Sequence, residues 1–181
     1  MVAPLALTGT PGTGKSSVAA ALAPRFRSIE VADLARILGV ARTSGRGVEV
    51  DVAALARAVR PGRGLPRVDL IVGHLSHLLP LRHVVVLRCH PRELERRLER
   101  GRPAPLAERR ENLLAEALDV VLAEARRPGR RIYEIDTTGR TADRVARDVA
   151  ERLRRDGPAS YGRIDWLSDP WVTKHLLDWA R

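Results

Sequence analysis

Gly9–Ser16, with the sequence GTPGTGKS, is the stretch that decides the fold, because it fits the pattern G-x-x-x-x-G-K-[ST]. An apolar run at Ala3–Thr8 precedes it, and an alanine-rich run at Lys15–Ala23 follows it. This order predicts a strand, a tight loop and a helix. Glycines let the N–H groups of such a loop turn inward around a phosphate, and the N-terminus of the following helix attracts the same anion. The stretch therefore predicts a phosphate-binding loop, or P-loop.

The loop also predicts the residues that bind the nucleotide, with ATP and Mg²⁺ as the expected cofactors. Lys15 is expected to contact the β- and γ-phosphates as the catalytic cation, Ser16 to ligate Mg²⁺ and Ser17 to donate to the α-phosphate. Lys15 and Lys174 are the only lysines in a chain with 32 lysines and arginines, so a chance cation after Gly14 would be an arginine. The predicted nucleotide-binding residues of the loop are Gly12, Thr13, Gly14, Lys15, Ser16 and Ser17, and Arg100 outside the loop completes the predicted set.

The remaining apolar runs predict the sheet that carries this loop. Val68–Val72 and His83–Leu87 are continuous rather than alternating runs, which is typical of strands covered by helices on both faces. Further strands are expected at Ser28–Val31 and Arg131–Ile135. Because strands and helical stretches alternate, the connections should be right-handed crossovers. The predicted fold class is α/β, a three-layer P-loop NTPase fold with a five-stranded parallel sheet and helices on both faces. We expect one domain over residues 1–181.

Three local elements of the chain are also predicted. One long helix is expected over Ala107–Arg126, and a glycine-containing loop is expected through Gly39, Gly45 and Gly47. Asp169 as N-cap and Pro170 at the first helical position predict a terminal helix. These elements frame the segments that would surround a nucleotide.

The composition limits the functional classes. The chain is 44% hydrophobic and 30% charged, and it contains no apolar stretch near the roughly 20 residues that a membrane span requires. No export signal is evident, so we expect a cytoplasmic protein without a membrane partner. The formal net charge of +10 fits binding to nucleotides, RNA or a ribonucleoprotein. The single cysteine, Cys89, is expected to be a buried thiol. The aromatic tail, about residues 156–181, holds Trp166, Trp171 and Trp179, which either pack on the domain or contact a partner.

Transfer of a phosphoryl group would require a segment that holds the acceptor. The candidate acceptor segment is about residues 30–53, which follows the second predicted strand. Its polar groups include Asp33, Arg36 and Arg42. Arginines there could pair with the phosphate of an acceptor, although a solvated helix face is the more common role of a single arginine.

The same reaction would require a basic flap, or lid, over the transferring phosphate. The candidate lid is about residues 99–109, around the break in helical pattern that begins at Gly101. Arg100 lies beside this hinge and is the predicted lid arginine, which would stabilise charge on the transferred group. Arg97 and Arg102 flank the same break.

Two histidines follow the third predicted strand, at the sheet edge where open α/β sheets bind ligands. His74 is a candidate for a catalytic or phosphate-orienting role, with a structural role as the alternative. His77 is expected to be structural. A zinc site is not expected, since two imidazoles alone rarely hold a metal.

Several motifs in a fixed order extend the pattern beyond the loop. They are Gly9–Ser17 (GTPGTGKSS), Val31–Arg36 (VADLAR), Gly73–Pro80 (GHLSHLLP), Val84–Pro91 (VVVLRCHP), Glu111–Glu116 (ENLLAE), Glu134–Thr138 (EIDTT) and Ile164–Trp166 (IDW). Along nearly its whole length the chain resembles the atypical adenylate kinases of archaea, whose eukaryotic relatives are nuclear (the adenylate kinase isoenzyme six family). The first motif is general to P-loop proteins, whereas the order of the later ones is specific.

The resemblance implies reversible phosphoryl transfer between ATP and AMP or a related nucleoside monophosphate (NMP), with a slower ATPase. It also implies a role in ribosome biogenesis and rRNA processing, through the small-subunit platform protein number eleven and a pre-rRNA particle. By position, the resemblance assigns the ATP site to the loop residues named above, the lid arginine to Arg100 and the acceptor segment to Glu30–Ala53.

The chain departs from this family pattern at Val72, where relatives usually carry an acidic residue that holds Mg²⁺ through water. Asp33 or Asp69 would have to substitute for it. Two other functions stay open: an assembly factor in which nucleotide binding switches a contact with protein or RNA, and a small P-loop kinase acting on another metabolite.

Overall fold

The computed structural model describes residues 4–44, 47–59, 67–101, 104–154 and 158–180. In chain order the elements are β1 (Leu5–Thr8), α1 (Lys15–Leu22), β2 (Ser28–Glu30), α2 (Val31–Ile37), β3 (Ala41–Ser44), β4 (Gly47–Val50), α3 (Val52–Ala58), β5 (Leu70–Val72), β6 (His83–Arg88), α4 (Pro91–Arg100), α5 (Leu106–Ala117), α6 (Val120–Ala125), β7 (Arg131–Asp136), α7 (Ala142–Arg154) and α8 (Pro170–Trp179). Short 3₁₀ turns lie at Ser76–Leu78 and Trp166–Ser168.

The main sheet has five parallel strands in the order β2-β5-β1-β6-β7, which confirms the predicted α/β fold class. The strand that precedes the glycine-rich loop, β1, is the central one, and its residues are buried throughout. Because all five strands run in the same direction, their carboxyl ends form one edge of the sheet. The loop after β1 therefore opens onto the edge where such sheets bind ligands.

Helices cover both faces of this sheet and give two separate apolar cores. On one face, Leu7, Val72 and Val85 pack with residues of α1 and α7. On the other face, Ile71 and Val84 pack with residues of α2, α3 and α6. Successive strand residues point to opposite faces, so each continuous apolar run supplies both cores.

A third core joins α4, α5 and the C-terminal helix α8. It contains Cys89 and Leu94 together with Val172 and Trp179 of α8. Asp169 accepts a hydrogen bond from the Trp171 N–H at 2.7 Å, which confirms the predicted N-cap of the terminal helix. The described part of the tail, residues 158–180, thus packs on the rest of the chain through Trp166 and α8. The Cys89 thiol is buried, as expected, and burial raises its pKa to about 11.

The long helix expected over Ala107–Arg126 is wrong, because the chain forms two helices, α5 and α6, that meet at Asp119. Asp119 has a φ of 57°, in the left-handed region that aspartate tolerates better than most residues. Its carboxylate pairs with the buried guanidinium of Arg88. We attribute the break to this long-range ion pair, which a helical pattern in sequence does not reveal.

The loop expected through Gly39, Gly45 and Gly47 contains a two-stranded antiparallel sheet in its described part, so this expectation is also wrong. Gly45 lies outside the described residues. In this sheet, Ala41 pairs with Val50 and Arg42 pairs with Glu49. The glycines indicated a loop, but the polar residues between them left too little alternation to indicate strands.

Within the described stretches, none of the helices is both long enough and apolar enough to cross a membrane.

Candidate phosphate-binding site

Glycine is required at two positions of the loop between β1 and α1. Gly9 has a φ of 143°, and a Cβ added there would lie 2.4 Å from the carbonyl oxygen of Leu87. Gly12 has a φ of 91°, and its Cβ would lie 2.7 Å from a methyl carbon of Leu94. The loop therefore packs closely against β6 and α4, which leaves room only for backbone atoms.

Lys15 is the first residue of α1 and extends back over the loop. Its ammonium donates hydrogen bonds to the carbonyl oxygens of Gly9 at 2.8 Å and Thr10 at 3.0 Å. Burial lowers the pKa of Lys15 from 10.5 to about 8, while the carboxylates of Glu30 and Glu116 act in the opposite direction. A cation held beside free helix N–H groups is the arrangement that binds the phosphates of a nucleotide.

Ser16 has an acidic neighbour that the sequence analysis did not select. The Ser16 hydroxyl donates to Oε1 of Glu30, the last residue of β2, over 3.4 Å. Desolvation raises the pKa of Glu30 above 4.5, although the Ser16 hydrogen bond and the Lys15 charge act against this. A hydroxyl and a carboxylate are the hard oxygen donors that Mg²⁺ prefers, so these two residues fit that cation.

The two carboxylates expected to serve Mg²⁺ lie in different places. Asp69 lies at the N-terminal end of β5, where its carbonyl accepts from the Leu5 N–H at the start of β1. Its carboxylate accepts from the Arg27 N–H at 2.8 Å. Asp69 is therefore at the sheet edge opposite the loop, which corrects that expectation. Asp33 lies in the first turn of α2, exposed and paired with Arg36.

The two histidines after β5 differ in their surroundings. His74 is exposed, and its carbonyl accepts from the Thr8 hydroxyl at 3.2 Å. Desolvation by the surrounding protein and then the charge of Lys15 lower the pKa of His74 below 6.5, so its imidazole is mainly neutral at pH 7. His77 is buried between the Thr8 hydroxyl at 2.9 Å and Glu124 at 2.8 Å, which is a structural position.

Of the three arginines near the predicted lid, Arg97 lies beside the loop. Its guanidinium donates to the carbonyl of Thr137 at 2.9 Å and to the Thr137 hydroxyl at 3.2 Å. Arg100 is exposed at the C-terminal end of α4, and Arg102 lies outside the described residues.

Two cavities lie in the regions where nucleotides were expected. A cavity of about 340 Å³ adjoins the loop between α1 and the turn after β7. Its lining includes Gly12, Gly14, Val18, Arg97, Thr137 and Arg140. A second cavity, of about 440 Å³, lies in the candidate acceptor segment and is lined in part by Val40, Arg42, Glu49 and Asp51.

A buried carboxylate of α5 forms a hydrogen bond with the loop. Glu116 accepts a hydrogen bond from the Thr10 hydroxyl at 2.5 Å and from Nε of Arg88 at 2.8 Å. Arg88 also pairs with Glu134, and the indole N–H of Trp166 donates to Glu116 at 3.1 Å. This network joins four of the sequence motifs, VVVLRCHP, ENLLAE, EIDTT and IDW, to the loop. Their order in sequence was informative, but it carried no signal that their side chains meet.

The parallel sheet and this loop define a P-loop nucleotide-binding domain. Residues 5–119 match a family described as AAA domain. Three archaeal proteins, each described as "Putative adenylate kinase", are similar over most of their length. The protein of Archaeoglobus fulgidus is 41% identical over 174 residues, which cover 91% of this chain and 92% of the relative. The protein of Pyrococcus furiosus is 36% identical, with 98% of this chain and 97% of the relative covered. The protein of Thermococcus onnurineus is 35% identical, with 91% of this chain and 92% of the relative covered. The chain belongs to this family, the atypical adenylate kinases.

Proposed function

We propose that this protein is an NMP kinase that reversibly transfers the γ-phosphoryl group of ATP to AMP or a related monophosphate. The observation that carries the proposal is the position of Lys15 over a loop that admits only backbone atoms at Gly9 and Gly12. Phosphoryl transfer depends on positioning and charge stabilisation more than on covalent chemistry, and such a loop supplies both. The family membership of the chain supports the same reaction.

On the donor side, the N–H groups of the loop bind the β-phosphate and Lys15 neutralises charge between the β- and γ-phosphates. Ser17, exposed in the first turn of α1, donates to the α-phosphate. The cavity beside Arg97 receives the base. Bound Mg²⁺, held by the Ser16 hydroxyl, would supply further charge neutralisation at the phosphate oxygens.

On the acceptor side, the cavity lined by Arg42 receives the monophosphate. The neutral imidazole of His74, close to the Lys15 charge, orients the attacking phosphate by a hydrogen bond. Arg100 closes over the transferring group from the lid hinge, where exclusion of water strengthens its electrostatic effect.

The first test is ADP formation from ATP and Mg²⁺, with and without AMP. Because kinases of this kind turn over at about 1–100 s⁻¹, we expect AMP to raise ADP formation far above the rate with ATP alone. Replacing AMP by GMP, CMP or UMP in the same assay identifies the preferred acceptor. Tight ATP binding with no acceleration by any monophosphate would overturn the kinase proposal.

A second candidate function is a nucleotide-switched factor in maturation of the small ribosomal subunit. The net charge of +10 favours a polyanionic partner, since basic surfaces attract phosphate. In that case ribosomal components, such as the platform protein number eleven or a pre-rRNA particle, should accelerate ATP hydrolysis. The same ADP assay separates the two functions by which addition, monophosphate or particle, raises the rate.

The base cavity predicts an effect at Arg97. An arginine stacked on an aromatic ring contributes about 1–2 kcal/mol when partly desolvated. Arg97→Ala should therefore raise the KM for ATP by about 5- to 30-fold, with a smaller effect on the KM for AMP. Arg96→Ala is the matched control, since Arg96 lies on the exposed side of the same helix. Equal KM values for ATP in the two variants would contradict a base site in this cavity.

A further inference from the structure

We propose that Glu30, at the end of β2, is the carboxylate of the Mg²⁺ site and replaces an acidic residue that this chain lacks at the end of β5. P-loop NTPases hold Mg²⁺ with the loop serine or threonine and a carboxylate at the end of a neighbouring strand. Here β5 is one of the two strands that pair with β1, and it ends in Val72, which is buried and cannot bind a cation. The inference rests on the proposed use of ATP and Mg²⁺.

The register of the sheet places Glu30 next to Val72, the position that lacks an acidic residue. Glu30 is the direct partner of Val72 across the β2–β5 pair, and neighbouring strands lie about 4.8 Å apart. Residues in register on parallel strands point to the same face of the sheet. Val72 packs in the core on the α1 face, so the Glu30 side chain also projects toward α1, which carries Ser16.

The local contacts have the dimensions of a magnesium site. The Ser16 hydroxyl oxygen and Oε1 of Glu30 are 3.4 Å apart. Adjacent ligands on an octahedral Mg²⁺ with bonds of 2.0–2.1 Å are about 3 Å apart, so a small side-chain shift brings both oxygens onto one cation. Glu30 is the N-cap residue of α2, but its side chain makes no capping bond within the described part of the chain. Its carboxylate is therefore directed at Ser16.

The position on β2 also explains why this exchange is compatible with folding. β2 is an edge strand of the sheet, and Glu30 is partly exposed, so its charge keeps contact with water. A charged group in the interior at Val72 would cost several kcal/mol unless it were paired. The valine completes the core against α1, while the carboxylate one strand away accepts from the Ser16 hydroxyl.

The test measures Mn²⁺ binding to the complex of the protein with a non-hydrolysable ATP analogue, by electron paramagnetic resonance and without AMP. Glu30→Gln removes the charge and keeps the shape. We expect it to weaken Mn²⁺ binding to this complex by about 10- to 100-fold, the range for loss of a group that orients a bound metal. Its affinity for the analogue in EDTA should stay within about twofold of the parent protein, since the change removes no phosphate contact.

Asp33→Asn is the matched variant, because Asp33 lies three residues from Glu30, in the first turn of α2, and is a second exposed carboxylate near this edge of the sheet. It should weaken Mn²⁺ binding far less than Glu30→Gln does. An unchanged Mn²⁺ affinity in Glu30→Gln, or an equal loss in Asp33→Asn, would overturn the inference. The Mn²⁺ measurement needs no acceptor, so it is independent of the AMP assay. If AMP does not accelerate ADP formation but Glu30→Gln weakens Mn²⁺ binding, only the kinase proposal is refuted. The reverse pattern refutes only the role of Glu30.

Discussion

Lys15→Ala should lower kcat/KM for AMP-dependent ADP formation by at least about 100-fold, the loss typical of removing one preorganised group that stabilises transition-state charge. Lys15 is held over the loop by two backbone carbonyls, so its ammonium is preorganised near the transferring phosphate. Both kcat and the affinity for ATP should fall, because the same charge binds the ground-state phosphates.

The loss should not arise from unfolding. Burial lowers the pKa of Lys15 to about 8, so the folded protein binds this proton less tightly than the unfolded chain does. Between about pH 8 and 10.5 the unfolded chain therefore carries more protons, and stability should rise with pH through that window. Burial of the charged ammonium therefore destabilises the folded protein at pH 7, and Lys15→Ala removes this cost. We expect Lys15→Ala to be at least as stable at pH 7 as the parent.

Lys174→Ala provides the matched control. It removes the one other lysine of the chain, from an exposed position on α8. Initial-rate kinetics on the two variants should show the loss for Lys15→Ala alone. A Lys15→Ala protein that is folded by circular dichroism and retains more than about a tenth of the parent kcat/KM would contradict the proposed role.

Arg88→Ala should destabilise the fold by about 3–5 kcal/mol, because removing one partner of a buried ion pair leaves an uncompensated charge. Arg88 is 1% exposed and is paired with Glu116 and Glu134, whose side chains are each 2% exposed. Without the guanidinium, these two buried carboxylates lose the cation that they share. The loop is then also affected, since Glu116 accepts the Thr10 hydrogen bond.

Urea unfolding at pH 7 measures this effect as a fall in the midpoint concentration at a constant slope. Arg96→Ala is the control, since its guanidinium is exposed and lies 3.8 Å from Glu93, a surface pair that contributes at most about 1 kcal/mol. A loss below about 1 kcal/mol in Arg88→Ala would show that the network does not stabilise the fold. The expected loss of stability is a large part of the total stability of a typical domain. Failure of Arg88→Ala to fold, while Arg96→Ala folds, would therefore also agree with the prediction.

The phosphate loop and the five parallel strands could be predicted because their causes are local. Glycine at Gly9 and Gly12 is required by backbone geometry that a short pattern records. The continuous apolar runs at β5 and β6 reflect burial on both faces, which every residue of those strands shares. The residues that form each of these patterns lie within a few positions of one another, so the patterns can be recognised from the sequence alone.

The residues that complete the site were decided by contacts between distant parts of the chain. Thr10 and Glu116 are 106 positions apart, and Ser16 meets Glu30 because the register of β2 and β5 sets Glu30 beside Val72. Asp119 ends a helix early because its carboxylate pairs with Arg88 on β6. The sequence does not show which buried residue a given charged side chain will pair with. The sheet order and register, which exist only after the strands pair, therefore determine which carboxylate faces the loop.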